Sequence, residues 1–108
     1  MHSLVKIVVT VPETHAGAVR QAIGDAGGGR VGKYSHCSFS SKGTGRFLPT
    51  TGANPHVGVI GVPEAVAEER IEVTCERTHL PAVVAAIKSV YPYEEVALDI
   101  YPLETFTD

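Results

Sequence analysis

The sequence predicts an α+β fold of the ferredoxin-like kind: a βαββαβ sandwich, an antiparallel sheet with two helices on one face and an extra hairpin and loop at its centre. Three observations predict it. The chain aligns with itself at a constant offset of 64 residues, each copy reads as a strand followed by a helix, and the stretch between the copies holds short apolar runs separated by glycine-rich turns.

The self-alignment sets residues 6–26 (KIVVTVPETHAGAVRQAIGDA) against residues 70–90 (RIEVTCERTHLPAVVAAIKSV) without a gap. Nine positions are identical, among them Ile7/Ile71, Val9/Val73, His15/His79 and Ile23/Ile87. In 108 residues this marks a duplicated unit. The expected organisation is a single domain over 1–108, with repeat halves at about 3–29 and 68–103 and a central insert at about 30–61. A domain of this size hides roughly two-thirds of the surface its unfolded chain exposes, so a core is attainable without staples.

In the first strand Val5, Ile7, Val9 and Val11 share one face, and in its copy Ile71, Val73 and Cys75 do the same against Arg70, Glu72, Thr74 and Glu76. Thr14 and Thr78 are expected as N-caps, because a side-chain hydroxyl there accepts from amides otherwise unpaired at a helix start. Val19, Ala22, Ile23 and Ala26 then recur at helical spacing, as do Leu80, Val83, Val84, Ile87 and Val90. Gly27-Gly28-Gly29 and Pro92 are the stop signals. Between the copies, residues 33–40 and 44–48 read as two strands joined by Ser41-Lys42-Gly43, with Gly43-x-Gly45 as the bend. A polar loop over 49–56 and a short apolar piece over 57–60 follow. Residues 95–101 alternate again and form the last strand.

Helices on one face leave the other to Lys6, Val8, Thr10, Glu72, Thr74, Ala97, Asp99 and Tyr101, a mixed surface that calls for a second layer. A second copy of the chain is the expected cover, hence a homo-oligomer.

Net charge is −3 and the pI about 5.9, with no cluster of Lys or Arg, so nucleic acid has no electrostatic footprint to meet. The apolar run over residues 4–11 is too short to span a bilayer and is broken by Lys6, so no membrane partner is expected. Cys37 and Cys75 lack metal-ligand spacing and read as reduced thiols of a cytoplasmic protein.

Several longer motifs resemble a known family. Tyr34-Ser35-His36-Cys37-Ser38-Phe39, Gly43-Thr44-Gly45 with Phe47, Gly52-Ala53-Asn54-Pro55 and Tyr91-Pro92-Tyr93-Glu94-Glu95-Val96-Ala97 resemble the inserted middle domain of the YqfO/Nif-three-like proteins, and the resemblance covers nearly the whole chain. The Pro-Tyr-Glu piece also resembles CutA-type proteins, which share their fold with the PII signalling proteins. The resemblance implies a PII/CutA-like fold and self-association, a trimer being favoured. In the full-length family, paired metal ions are held by the domains flanking the insert. Those residues are absent here, so metal-dependent hydrolysis is not carried over.

His36 and Cys37 invite a metal or nucleophile reading. In a strand, however, adjacent side chains point to opposite faces, which would send Cys37 with Phe39 to the core and His36 with Tyr34 outward. Glu94 and Glu95 invite metal or acid–base roles beside His36, against capping of a turn and solvation. His15 and His79 are explained by the duplication. No Ser-His-Asp order, Walker loop or zinc-ligand spacing is present. The expectation is a non-enzymatic oligomeric module binding a small molecule, another protein or a divalent metal ion near subunit interfaces. Its ligand residues would be Tyr34, His36, Thr44, Asn54, Glu94 and Glu95, with His36 and Glu94 the metal ligands. A purely structural oligomerisation domain is the alternative, and a small metal-dependent hydrolase the third reading.

Overall fold

The computed structural model describes residues 3–104 and 106. Alternating Val and Ile make β1 (Leu4–Pro12) and the second half of β3 (Glu64–Glu76), which pair antiparallel from Leu4 opposite Glu76 to Pro12 opposite Glu68. Helices α1 (Glu13–Asp25) and α2 (Leu80–Val90) follow them, the second after a single 3-10 turn over Arg77–His79. With β2 (Phe39–Phe47) and β4 (Leu98–Pro102) the order along the chain is βαββαβ, and the sheet order is β2-β3-β1-β4, every pair antiparallel. The predicted class and the duplication are borne out: both repeat strands end 64 residues apart, at Pro12 and Glu76.

The core lies between the sheet and both helices. Val5, Ile7, Val9 and Val11 of β1 and Ile71, Val73 and Cys75 of β3 meet Ala16, Val19 and Ile23 of α1 and Val83 and Ile87 of α2. Each of these side chains is at most 2% exposed, worth about 1.5–3 kcal/mol apiece for the larger aliphatic ones. Helix α1 ends in a Schellman arrangement, with Gly28 N–H on Ile23 O at 2.9 Å and Gly27 N–H on Gly24 O at 3.2 Å. Gly27 has the positive φ (106°) that this motif places after a helix, a conformation a side chain resists.

Several expectations are corrected. Residues 33–40 and 44–48 do not form a hairpin: β2 is one strand running through Gly43 and Gly45, paired along its length with β3. After the 57–60 piece, β3 begins at Glu64. The physical reason is long-range: β3 offers an unpaired edge thirteen residues long, and satisfying its amides and carbonyls outweighs the turn preference of Ser-Lys-Gly-Thr-Gly. Beyond Glu68 the β2–β3 ribbon outruns β1, contributing to an elongated molecule of 52 × 22 × 22 Å.

Thr14 and Thr78 are not side-chain caps. The helix boundaries fall at Pro12 and His79, neither giving a side-chain cap bond, and Thr14 Oγ1 instead meets His15 Nδ1 at 2.8 Å. The last strand starts three residues later than the alternation suggests, because residues 91–97 cross the end of the sheet before Leu98 pairs with Val9.

Candidate ligand-binding site

A cavity of about 390 Å³ opens at the foot of the β2–β3 ribbon. Its floor is strand: Gly45 and Phe47 of β2, Glu68 of β3 and Thr10 near the end of β1. One wall is the connection after α2, from Tyr91 to Ala97, and the other is the central loop, from Leu48 to Val57. That loop is closed on itself, since Gly61 N–H donates to Pro49 O at 2.8 Å and Ala53 N–H to Thr50 O at 3.0 Å. It is fastened to the opposite wall by Asn54 N–H, which donates to Glu94 Oε1 at 2.8 Å.

The Tyr91 connection is anchored to the sheet. Tyr91 is 9% exposed, and its hydroxyl donates to Thr10 O at 2.5 Å while accepting from Ala97 N–H at 3.2 Å. Burial raises the Tyr91 phenol pKa. Tyr93 then stands among rings, with centroids 5.6 Å from Phe47, 5.9 Å from Tyr91 and 6.2 Å from His56. These separations are in the range where aromatic pairs attract beyond their buried area.

Glu68 is the unexpected member. It is a carboxyl only 9% exposed, and burial raises its pKa. The Tyr93 hydroxyl faces it and partly offsets that rise, yet is itself buried without a hydrogen bond of good geometry. Burial first, and the neighbouring Glu68 charge second, push the Tyr93 phenol up to about 12. Room for the carboxyl comes from Gly45, where a Cβ would collide with it. Gly45 is therefore not a bend but a gap left in the sheet face.

The residues expected to form the site divide into two places. Glu94 and Glu95 line the cavity, and Asn54, though not part of the lining, holds Glu94 through its backbone N–H. Thr44 is exposed on β2 opposite Ala67, on the alternate side of the strand from Gly45. Tyr34 is 76% exposed in a tight turn bonded through its backbone to Val31. His36 lies at the end of α1: its Nε2 meets Asp25 Oδ1 at 2.9 Å and its Nδ1 meets Ser35 Oγ at 2.9 Å. That hydrogen bond from His36 lowers the Asp25 pKa. The ring sits over Gly24, where a Cβ would clash.

His36 and Glu94 thus belong to different surfaces of one chain. Among the described residues no group of three or more His, Cys, Asp and Glu side chains is placed to hold a metal. The opposite-faces reading of His36 and Cys37 is also corrected. Segment 33–38 is not a strand, His36 has a positive φ of 59°, Phe39 is 67% exposed, and Cys37 is half-buried while Cys75 takes the core place. Cys37 N–H bonds Gly29 O and Gly29 N–H bonds Thr74 O, so the loop is tied down through its backbone and needs no inward side chain.

Glu68, Phe47 and Tyr91 were not among the expected site residues. The one signal in the sequence is a glycine, Gly45, whose partner across the ribbon cannot be known without the register.

No protein-family model matches the chain. It is 50% identical over 101 residues to a protein of Halalkalibacterium halodurans and 48% identical over 101 residues to one of Bacillus subtilis, both called GTP cyclohydrolase 1 type 2 homolog. A crystal structure of a Bacillus cereus protein related to NIF3 superposes with a TM-score of 0.84 at 47% identity, over 96% of this chain and 26% of that one. The chain is related to one segment of the NIF3-like proteins. It covers 94% of its own length in the two curated matches but spans only about a quarter of theirs, 27% of each. The fold is that of CutA from Archaeoglobus fulgidus (TM-score 0.66, 18% identity, 99% of this chain and 88% of that one). It is also that of GlnK from Bacillus subtilis (0.63, 14%, 94% and 85%), so the PII/CutA-like expectation holds. No helix among the described residues is long and apolar enough to cross a membrane.

Proposed function

We propose that the chain is a non-catalytic, self-associating PII/CutA-like module of the cytoplasm that binds a small molecule in the cavity between the central loop and the Tyr91–Ala97 connection. The observation that carries this reading is the bond from Asn54 N–H to Glu94 Oε1, which joins segments 40 residues apart and closes the loop over a cavity of about 390 Å³. That volume lies within the range of small-molecule sites, and its apolar lining with a few convergent polar groups has their usual composition. Proteins of the same fold support ligand binding: a GlnK has been crystallised as an ATP complex, and one CutA is described as a divalent cation tolerance protein. A metal site built on His36 and Glu94 would need a second chain to bring them together.

Self-association is supported by the helix-free sheet face, where Tyr101 of the edge strand β4, opposite Lys6, is 47% exposed. A trimer is favoured by likeness to the CutA and PII proteins. In a longer NIF3-like protein the module would hold subunits together and report ligand occupancy through the central loop, whatever the whole protein catalyses.

Two measurements test the reading. Native mass spectrometry of protein purified without chelator or affinity tag is expected to show an oligomer, and a single-chain mass at working concentration would refute self-association. Hydrogen exchange is expected to slow over residues 43–56 when a cavity ligand binds. Unchanged protection there, with every compound that binds elsewhere, would remove the ligand role and leave a structural assembly domain.

A further inference from the structure

Glu68 differs from Glu69 and Glu72 of the same strand. Glu69 pairs with Arg20 at 2.6 Å and Glu72 with Arg70 at 3.1 Å, yet among the described residues no Lys or Arg lies within ion-pair distance of Glu68, the most buried of the three. A carboxylate withdrawn from water without a counter-charge is costly, and proteins keep one where something cationic meets it or where it works as an acid. Among the described residues no group of three or more His, Cys, Asp and Glu side chains is placed there to hold a metal.

The surroundings favour the first option. The Tyr93 ring stands 5.6 Å from that of Phe47 and 5.9 Å from that of Tyr91, next to Glu68. Ring faces attract a cation within about 6 Å of the centroid. Glu94 and Glu95 add two carboxylates to the lining, against Arg46, the one Lys or Arg there. Arg46 is exposed and lies on the alternate side of β2 from Gly45 and Phe47. Both Glu68 and the buried, unpartnered Tyr93 hydroxyl border the space that Gly45 keeps open.

We propose that the cavity is a site for an organic cation, a small ammonium compound whose charge meets Glu68 and whose carbon shell lies against Phe47, Tyr91 and Tyr93. The proposal rests on the ligand-binding reading above and names the chemical class of the ligand. A negatively lined aromatic pocket disfavours phosphate-bearing anions, because the carboxylates of Glu68, Glu94 and Glu95 would face them.

The test compares choline with its uncharged isostere 3,3-dimethyl-1-butanol, by calorimetry and by NMR of the aromatic side chains. Choline is expected to saturate the protein, shift the Phe47 and Tyr93 ring signals and bind at least about tenfold more tightly than the isostere. Glu68→Gln is expected to erase that preference, and Phe47→Leu, which keeps an apolar side chain, to weaken choline at least about fivefold. Should Glu68→Gln fail to fold by circular dichroism, the isostere comparison and Phe47→Leu decide. Equal binding of choline and isostere, or ATP saturating the same ring signals in preference to choline, overturns the cation proposal while the ligand-binding reading stands. Saturation by none of choline, the isostere and ATP overturns the proposal and removes the support for a ligand site.

Discussion

Tyr91→Phe tests whether the wall of the cavity is held by one hydroxyl. The ring stays, so the packing of a residue 9% exposed is conserved, and only the oxygen is lost. With it go the bond donated to Thr10 O at 2.5 Å and the bond accepted from Ala97 N–H at 3.2 Å. The first is short and sheltered, worth about 1.5 kcal/mol at the upper end for a neutral hydrogen bond. The second is longer, and Ala97 is exposed enough for water to replace the lost partner, so it is worth about 0.5 kcal/mol. The expected loss is about 2 kcal/mol, or a fall of roughly 8 °C in the thermal midpoint of a domain this size. Urea unfolding of both proteins at one fixed concentration, so that oligomer mass action cancels, measures it. Tyr34→Phe, at a 76% exposed residue, is the control and should change nothing measurable. A loss below about 0.5 kcal/mol for Tyr91→Phe would show that the 91–97 connection is held by packing alone.

Three further outcomes follow from the same geometry. Burial raises the Glu68 pKa, so the unfolded chain ionises first as pH rises and stability declines from the ordinary glutamate range up to the folded value. Glu68→Gln should remove that decline and raise the urea midpoint at neutral pH, and an unchanged profile between pH 4 and 8 would contradict it. The Tyr93 phenol, pushed up to about 12, keeps its proton in the folded state where the unfolded chain has lost it. Stability should therefore fall between about pH 10 and 12. Tyr93→Phe should flatten this fall and delete the last step of the tyrosinate absorbance titration. Gly29→Ala combines a φ of +78° with a Cβ 2.8 Å from Cys37 N, and should cost about 2–4 kcal/mol in urea unfolding. Gly52→Ala, also at positive φ (97°) but in open space, should cost only the backbone part, about 1–2 kcal/mol.

The duplicated unit was legible because its signals are local and periodic. Val5, Ile7, Val9 and Val11 and their counterparts Ile71, Val73 and Cys75 face the helices as alternation requires, and Val19, Ile23, Val83 and Ile87 complete the core. The middle stretch misled because its local signals compete with pairing over distance. Gly43 and Gly45 look like a bend until β3 supplies a partner for every residue of β2. Likewise His36, read as strand, is held at positive φ by Asp25 and by a gap at Gly24, contacts that its neighbours in sequence do not reveal.

Of the candidate ligand residues, Glu94 and Glu95 line one cavity and Asn54 ties its loop to Glu94 at the rim, while Tyr34, His36 and Thr44 lie elsewhere. The sequence alone determined the repeat, the helix-covered sheet face and the likeness to NIF3-like proteins, because periodicity and motif order are properties of residues close along the chain. Only the tertiary structure decided that Gly45 of β2, paired with Val66, would lie diagonally from Glu68 beneath its carboxyl and leave that carboxyl beside Tyr93 without a cation. That depends on strand register and on where the chain after α2 returns to the sheet, and both are fixed by burying the whole core at once rather than by any local preference.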